Sequence, residues 1–328
     1  MAKVKAEENK KEGLDLFLAE MNKTYGKEIF VKDLKNITVT KIKTGSLALD
    51  IALDGGIPKG KMAEIFGINQ SGKSSLCYET AANFQKQFPG EEILMIDLED
   101  TFTDEYVKSL GIDTTKNFRV MKPKTGEHTY EILISFAKNI KGGLIILDSF
   151  ALLLPTKEDE GDVGAAQMGS AARLNSQGLR KLFPHSAENG TTILFINQVR
   201  STFDMYAPVA TSGGKSLPFY ARTRLHLSKV KGEEGVSNGC NIKLEKATYG
   251  KEGTKVNTFR LKKGKFDIIA EVMTLAEEVG IVERSGSYYS YEGTALGQGK
   301  GQLKQLLEDN PELLLDIENR IRKHYGII

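Results

Sequence analysis

The sequence predicts an α/β protein built on a mainly parallel central sheet, preceded by a helix-strand arm and followed by a small α+β domain. Three observations carry the prediction. Apolar runs of strand length alternate with segments of helical period between residues 62 and 197, period-two strands joined by Gly-rich turns follow between 221 and 261, and helical segments with one short hairpin close the chain after Asp267. A chain of 328 residues suffices for one large core with small attachments. The expected division is an N-terminal arm over 1–35, a core over 36–267 and a C-terminal domain over 268–328.

In KEGLDLFLAEMNKTYG, residues 11–26, Leu14, Leu16, Phe17, Leu18 and Met21 fall mostly on one side of a short helix, and KEIFV follows as a strand. The segment TGSLALDIALDGGIPKGKMAEIFG gives a short helical run, a Gly-rich turn and a strand from Met62 to Phe66. A helix is expected from Lys73 to Gln87, then a buried strand in EEILMID. The alternation continues with a helix over 127–139, a strand in GLIILD (143–148), a helix over 169–183 and a strand in TTILFIN (191–197). RTRLHLSKV, NIKLEKATY and KVNTFRL read as antiparallel strands that extend the sheet. Beyond them come a helix in IIAEVMTLAEEVGIV, a hairpin in SYYSY, and two helices in GQLKQLLEDNPELLLDIENRIRKHYG. Pro311 begins the second of these, where its missing N–H has no partner to lose.

Composition narrows the function classes. Hydrophobic residues at 40% and charged residues at 27% describe a folded soluble chain rather than a disordered or fibrous one. No apolar stretch is long enough to span a membrane, and the charged opening MAKVKAEENK leads into no signal segment, so the expected address is the cytoplasm. Cys77 and Cys240 suit buried positions rather than a disulfide framework, and four scattered histidines have no zinc-like spacing. A net charge of +2 is too small to imply nucleic-acid binding by itself, so any such surface must be local.

The chemistry is carried by GINQSGKS, residues 67–74, which has the G-x-x-x-x-G-K-S form between a hydrophobic strand and a helix. Gly67, Ile68, Asn69, Gln70, Ser71, Gly72, Lys73 and Ser74, with the adjoining Ser75, are the expected phosphate cradle of an ATP site, because tight turns and a helix start turn backbone N–H groups toward an anion. Lys73 is expected on the β and γ phosphates, and the Ser74 hydroxyl on Mg²⁺. Asp148 ends GLIILD at the sheet edge where that loop lies and is expected to orient the Mg²⁺ shell. Glu99, two residues past the strand ILMID, is the carboxylate best placed to polarise water, with Asp97 and Asp100 as positional alternatives. Gln198 follows TTILFIN, where an amide can sense the γ phosphate and pass that state into the next loop.

These residues resemble the bacterial RecA recombinase family. The resemblance rests on TGSLALDIAL (44–53), the phosphate loop, MIDLED (95–100), IILDS (145–149), QMGSAAR (167–173), FINQVR (195–200), SGGK (212–215), SYYSYEG, LGQGKG and EDNPE (308–312), and runs from about residue 14 to 325. It implies a RecA-like core and an ATP-dependent recombinase that forms head-to-tail filaments on single-stranded DNA, pairs it with homologous double-stranded DNA and exchanges strands. It implies catalytic roles for Glu99, Lys73, Gln198 and Lys246, the last acting on ATP across a subunit interface, and adds Asp104 and Tyr106 to the nucleotide site, Tyr106 stacking on adenine.

Two DNA-binding loops fall at about 156–168 and 201–213, making Met168, Gly169, Arg173, Arg200, Phe203, Gly213 and Gly214 the DNA-side candidates; Phe17, Ile29, Val31, Phe219 and Lys246 fall at the subunit interface. Pro218 and Thr248 stand where the family has cations that reach the neighbour's nucleotide, with Lys215 and Lys251 as candidate substitutes. Those two losses frame the alternative expectation, an ATP-dependent DNA-binding filament with a regulatory or repair role and little strand exchange. A hexameric helicase on a related core fits less well, because the arm and the C-terminal segment both resemble the recombinase.

Overall fold

A computed structural model describes residues 2–26, 39–162, 169–201, 209–230, 239–259 and 264–327. The chain divides into two compact units, 1–39 and 40–328. In the first, helix α1 (Ala2–Tyr25) starts at Ala2 rather than Lys11. Its early turns are extended by Ala, Lys and Glu, which favour helix without supplying an apolar stripe. Phe17 is 52% exposed on it. The expected KEIFV strand, with Ile29 and Val31, lies outside the described residues.

The second unit opens with β1 (Lys41–Ile42), α2 (Leu47–Ala52) and β2 (Ile57–Pro58), then β3 (Met62–Gly67), α3 (Lys73–Gln87), β4 (Ile93–Asp97), α4 (Asp104–Ser109), β5 (Phe118–Met121) and α5 (Gly126–Asn139). It continues with β6 (Leu144–Asp148), α6 (Thr156–Asp159), α7 (Ser170–Asn189), β7 (Thr192–Ser201), β8 (Val209–Thr211), α8 (Ser216–Tyr220), β9 (Thr223–Lys229), β10 (Cys240–Ala247) and β11 (Lys255–Thr258). The last part holds α9 (Ile268–Glu278), β12 (Glu283–Ser285), β13 (Tyr288–Tyr291), β14 (Thr294–Gln298), α10 (Gly299–Asp309) and α11 (Pro311–His324).

The described residues form a nine-stranded sheet in the order β11-β10-β9-β3-β7-β6-β4-β5, with β8 paired to β7. The central pairings are parallel, and their register aligns Gly67 with Gln198 and Asp97 with Asp148. The ends of four strands thus meet at one sheet edge, the position where open α/β sheets hold ligands. One packed layer sets Leu76, Ala81 and Phe84 of α3 against Ile65, Ile93 and Ile146. The other sets Leu133 of α5 and Leu179 and Leu182 of α7 against Ile145, Leu147 and Phe195.

Four further expectations are corrected. Helix α7 does not stop at 183 but continues through Pro184 to Asn189, with Leu182 and Ser186 buried on either side of the proline. Strand β7 runs on to Ser201 because Val199–Ser201 pair with β8. Of the three strands read as antiparallel, β9 runs parallel to β3, and the antiparallel direction begins with β10. The expected C-terminal hairpin is a three-stranded sheet, since Thr294–Gln298 adds to Tyr288–Tyr291.

The C-terminal segment packs its own cluster, Val272, Tyr289, Leu303, Ile317 and Ile321, around Leu47 from α2. Polar bonds close the same seam. Arg322 reaches Asp50 at 3.0 Å with both side chains buried, Asp50 accepts from the Thr44 hydroxyl, and Glu271 accepts from the Ser46 hydroxyl and the Ala48 N–H.

Candidate nucleotide site and its flanking loops

Residues Asn69–Ser75 line a cavity of about 440 Å³ at the shared strand edge, together with Tyr78, Glu99, Thr101, Tyr106, Asp148 and Gln198. The local fold follows from two glycines. A Cβ at Gly67 would come within 2.2 Å of the Leu227 carbonyl oxygen, so only glycine lets β3 turn this close to β9. Gly72 adopts φ 91°, a left-handed conformation that glycine takes without strain, and caps α3.

Lys73 is only 8% exposed, and its ammonium donates to the Ile68 carbonyl at 2.8 Å. Burial lowers its pKa, while the Asp148 and Glu99 carboxylates oppose that shift. Ser74 donates to Asp148 Oδ2 at 2.8 Å, and the other carboxylate oxygen is buried with no hydrogen-bond partner. Burial pushes Asp148 up to about 6, the Ser74 bond works against it and the Glu99 charge adds to it. A buried oxygen of this kind beside a hydroxyl fits a hard divalent cation, whose charge would favour the ionised carboxylate. No group of three or more His, Cys, Asp or Glu side chains among the described residues could hold a metal ion. An ion held by Ser74 and Asp148 would therefore complete its shell with phosphate oxygens and water.

The structure separates the three carboxylates near β4. Glu99 lines the cavity and accepts from the Gln198 side-chain amide at 3.1 Å. Asp97 is buried and holds the following turn through the N–H groups of Thr101 and Phe102. Asp100 is exposed and paired with Lys122. Tyr106 shares a 2.7 Å hydrogen bond with Ser75 and stands edge-on to Tyr78. Asp104 is not brought into the cavity lining: its carboxylate engages Thr114 and Lys108 at the start of α4, and those bonds lower its pKa.

Gln198 also faces the second loop. Its carbonyl accepts from the Ser212 N–H at 3.1 Å, and its own N–H donates to the Asn197 side chain. Asn197 in turn donates to the Ser212 carbonyl and to Glu64, which is paired with Arg224 at 2.6 Å. The inner ends of both loops meet here. A Cβ on Gly214 would lie 3.0 Å from Ala172, and Gly213 offers its carbonyl to Asn175 of α7. Gly169 caps α7, Arg173 is exposed on its first turn and Arg200 is exposed on β7. Met168 and Phe203 lie outside the described residues.

Near the opposite end of the parallel strands, where the Arg222 N–H donates to the Met62 carbonyl, Phe219 is 74% exposed. The Lys246 ammonium donates to the carbonyls of Pro218 and Phe219 at 3.0 and 3.3 Å. Its pKa is lowered by burial and then by the nearby charges of Arg222 and Arg224. Lys251 lies over the Tyr325 ring, away from this group, and Lys215 is exposed before α8. Sequence reasoning did not find Lys229, which donates to Gln70 in the phosphate loop at 3.2 Å. Only the parallel pairing of β9 with β3 brings the end of SKV to that loop.

The family described as the RecA N-terminal domain matches residues 12–268, and that described as the RecA C-terminal domain matches residues 270–326. Among similar curated proteins, Protein RecA of Bifidobacterium longum (strain NCC 2705) is 37% identical over 336 residues, covering 97% of this chain and 82% of that protein. Protein RecA of Frankia alni is 36% identical over 332 residues, covering 96% and 93%. Protein RecA of Acidothermus cellulolyticus is 35% identical over 336 residues, covering 97% and 94%.

Proposed function

The chain belongs to the RecA family, and from that membership and the site geometry we propose that it is an ATP-dependent homologous recombinase that assembles on single-stranded DNA and exchanges strands with a homologous duplex. The observation that carries the reading is the double engagement of Gln198, whose amide meets Glu99 on the phosphate side while its carbonyl holds Ser212 on the loop side. One residue thereby ties the state of the phosphate to the loop proposed to bind DNA.

In this reading Lys73 and the loop from Gly67 to Ser75 hold the triphosphate, and Ser74 and Asp148 hold Mg²⁺, which supplies charge neutralisation at the transferring phosphoryl group. Glu99 orients and polarises water. Tyr106 takes the base. Arg173, Arg200, Gly169, Gly213 and Gly214 contact DNA phosphates, and complementary base pairing rather than protein contacts reads the sequence. Phe17 and Phe219 lie in head-to-tail contacts between copies, with Lys246 beside Phe219, and such contacts build an open filament. The division into arm, core and C-terminal domain follows those roles. No helix among the described residues is long and apolar enough to cross a membrane, and we place the protein in the cytoplasm with its DNA.

The test is strand exchange with matched and mismatched duplexes, using Lys73→Ala as control. Product that requires homology, ATP and Lys73 supports the recombinase. ATP-dependent DNA binding without exchanged product overturns it in favour of a DNA-binding filament.

A further inference from the structure

Among the described residues, the cations at the phosphate site are Lys73 and, at the rim, Lys229, and these face the carboxylates of Glu99 and Asp148. A triphosphate with one divalent ion remains anionic, and the charge that develops in phosphoryl transfer adds to the demand. A cation from another copy is the natural complement, and the chain presents two on one half-exposed sheet face beside the exposed Phe219.

The first is Lys246, anchored by the Pro218 and Phe219 carbonyls. The second is Arg222. The Thr248 N–H donates to the Arg222 carbonyl at 3.0 Å, continuing the ladder in which Lys246 faces Arg224 and Ala247 faces Thr223. Arg222 is therefore the residue directly across from Thr248, and directly opposed residues in an antiparallel pair project to the same face. Alternation along β9 sends Thr223 and Leu225 into the core and leaves Arg222 and Arg224 on the face that carries Lys246.

The two arginines differ in what they hold. Arg224 is committed to the buried Glu64. Among the described residues the Arg222 guanidinium makes no hydrogen bond, ion pair or ring contact, and it lies near enough to Lys246 to depress that ammonium's pKa. The Glu252 carboxylate offsets part of the charge at Lys246, and burial and the two arginines still hold its pKa down, an arrangement that an anion relieves.

We propose that Arg222 of one copy contacts the triphosphate bound by the next copy, supplying from the facing strand the cation absent at Thr248, with Lys246 as its partner. The assignment rests on the head-to-tail recombinase reading above. A guanidinium is suited to this role because it stays charged beside another cation and forks onto two phosphate oxygens.

The experiment measures ATP turnover on single-stranded DNA for Arg222→Ala, for Arg222→Lys and for an equal mixture of Arg222→Ala with Glu99→Gln. Arg222→Ala is expected to lose about 100-fold in turnover, the scale of one removed transition-state donor. Arg222→Lys, which keeps the charge, is expected to stay within about tenfold of the unaltered protein. In the mixture, interfaces that join an intact Arg222 to an intact Glu99 should raise turnover above the sum of the two variants alone. A group acting on its own chain's nucleotide, or a merely structural one, gives no such rise. Arg222→Ala turning over at the unaltered rate, or a mixture that only matches the sum, overturns the assignment and leaves the recombinase reading intact. Failure of the unaltered protein to hydrolyse ATP on DNA overturns the reading itself and the assignment with it.

Discussion

The side-chain amide of Gln198 donates to the Glu99 carboxylate at 3.1 Å, joining β7 to the turn after β4 at the phosphate cavity. The groups proposed to sense phosphate and to polarise water are thus one hydrogen-bonded pair. A γ phosphate that takes the amide releases the carboxylate at the same moment. Glu99→Gln should lower ATP turnover by about 10²- to 10⁴-fold, the usual worth of a general base, while ATP still promotes DNA binding. Gln198→Ala should do the reverse to coupling, leaving DNA affinity the same with and without ATP. Phosphate release and fluorescence anisotropy on labelled single strands separate the two.

Gly213 has no room for a methyl group. Its added Cβ would sit 2.4 Å from the Phe150 ring and 2.8 Å from the Asn175 amide, at φ 87°. Gly213→Ala should therefore cost about 1–3 kcal/mol of stability, the usual cost of overpacking, and weaken DNA binding by moving the end of the second loop. Denaturant unfolding beside a DNA titration checks both outcomes.

Arg322 and Asp50 form a buried pair. Removing the cation alone strands a carboxylate in the interior, so Arg322→Met should destabilise by about 3–5 kcal/mol. Arg322→Met combined with Asp50→Leu should recover part of that loss, because the fully buried carboxylate is gone while Glu318 and the Thr44 donors still lose their partners. A double-mutant cycle in urea measures the coupling.

Burial holds Glu271 at about 7, above its ordinary value of 4.5, with its bonds to Ala48 and Ser46 opposing the shift. The folded chain keeps a proton there that the unfolded chain releases between those two values. The stability this contributes is complete below pH 4.5 and is lost as pH rises to 7. Glu271→Gln removes the titration while keeping the shape. It should be more stable than the unaltered protein at pH 8, by up to ~3 kcal/mol, with the difference closing by pH 5. Thermal melts across that range decide it.

The parts of the site that were legible in sequence are those set by local pattern. GINQSGKS fixes its own loop, the apolar run before it fixes the strand, and α3 begins and ends at the expected Lys73 and Gln87. Glu99 and Gln198 could be named because each follows a buried apolar run that reaches the same edge. What local pattern does not carry is sheet order. RTRLHLSKV looks the same beside any neighbour, so neither its parallel pairing with β3 nor the approach of Lys229 to Gln70 was legible. The opposition of Arg222 and Thr248 was hidden for the same reason. Asp104 shows the converse limit, since a position carried by resemblance does not say which hydroxyl and ammonium its carboxylate will take. Strand β5 escaped because FRVM is short and alternates too little to announce an edge.

The bonds that Glu271 and Arg322 make to the segment from Thr44 to Asp50 bear on how such proteins exchange parts. A chimera that traded only residues 268–328 with a relative would inherit half of an ion pair and half of a helix cap. One that carried 44–52 along with them would inherit both halves. The heritable module is therefore two stretches of sequence far apart in the chain, and a crossover that respects it must cut three times.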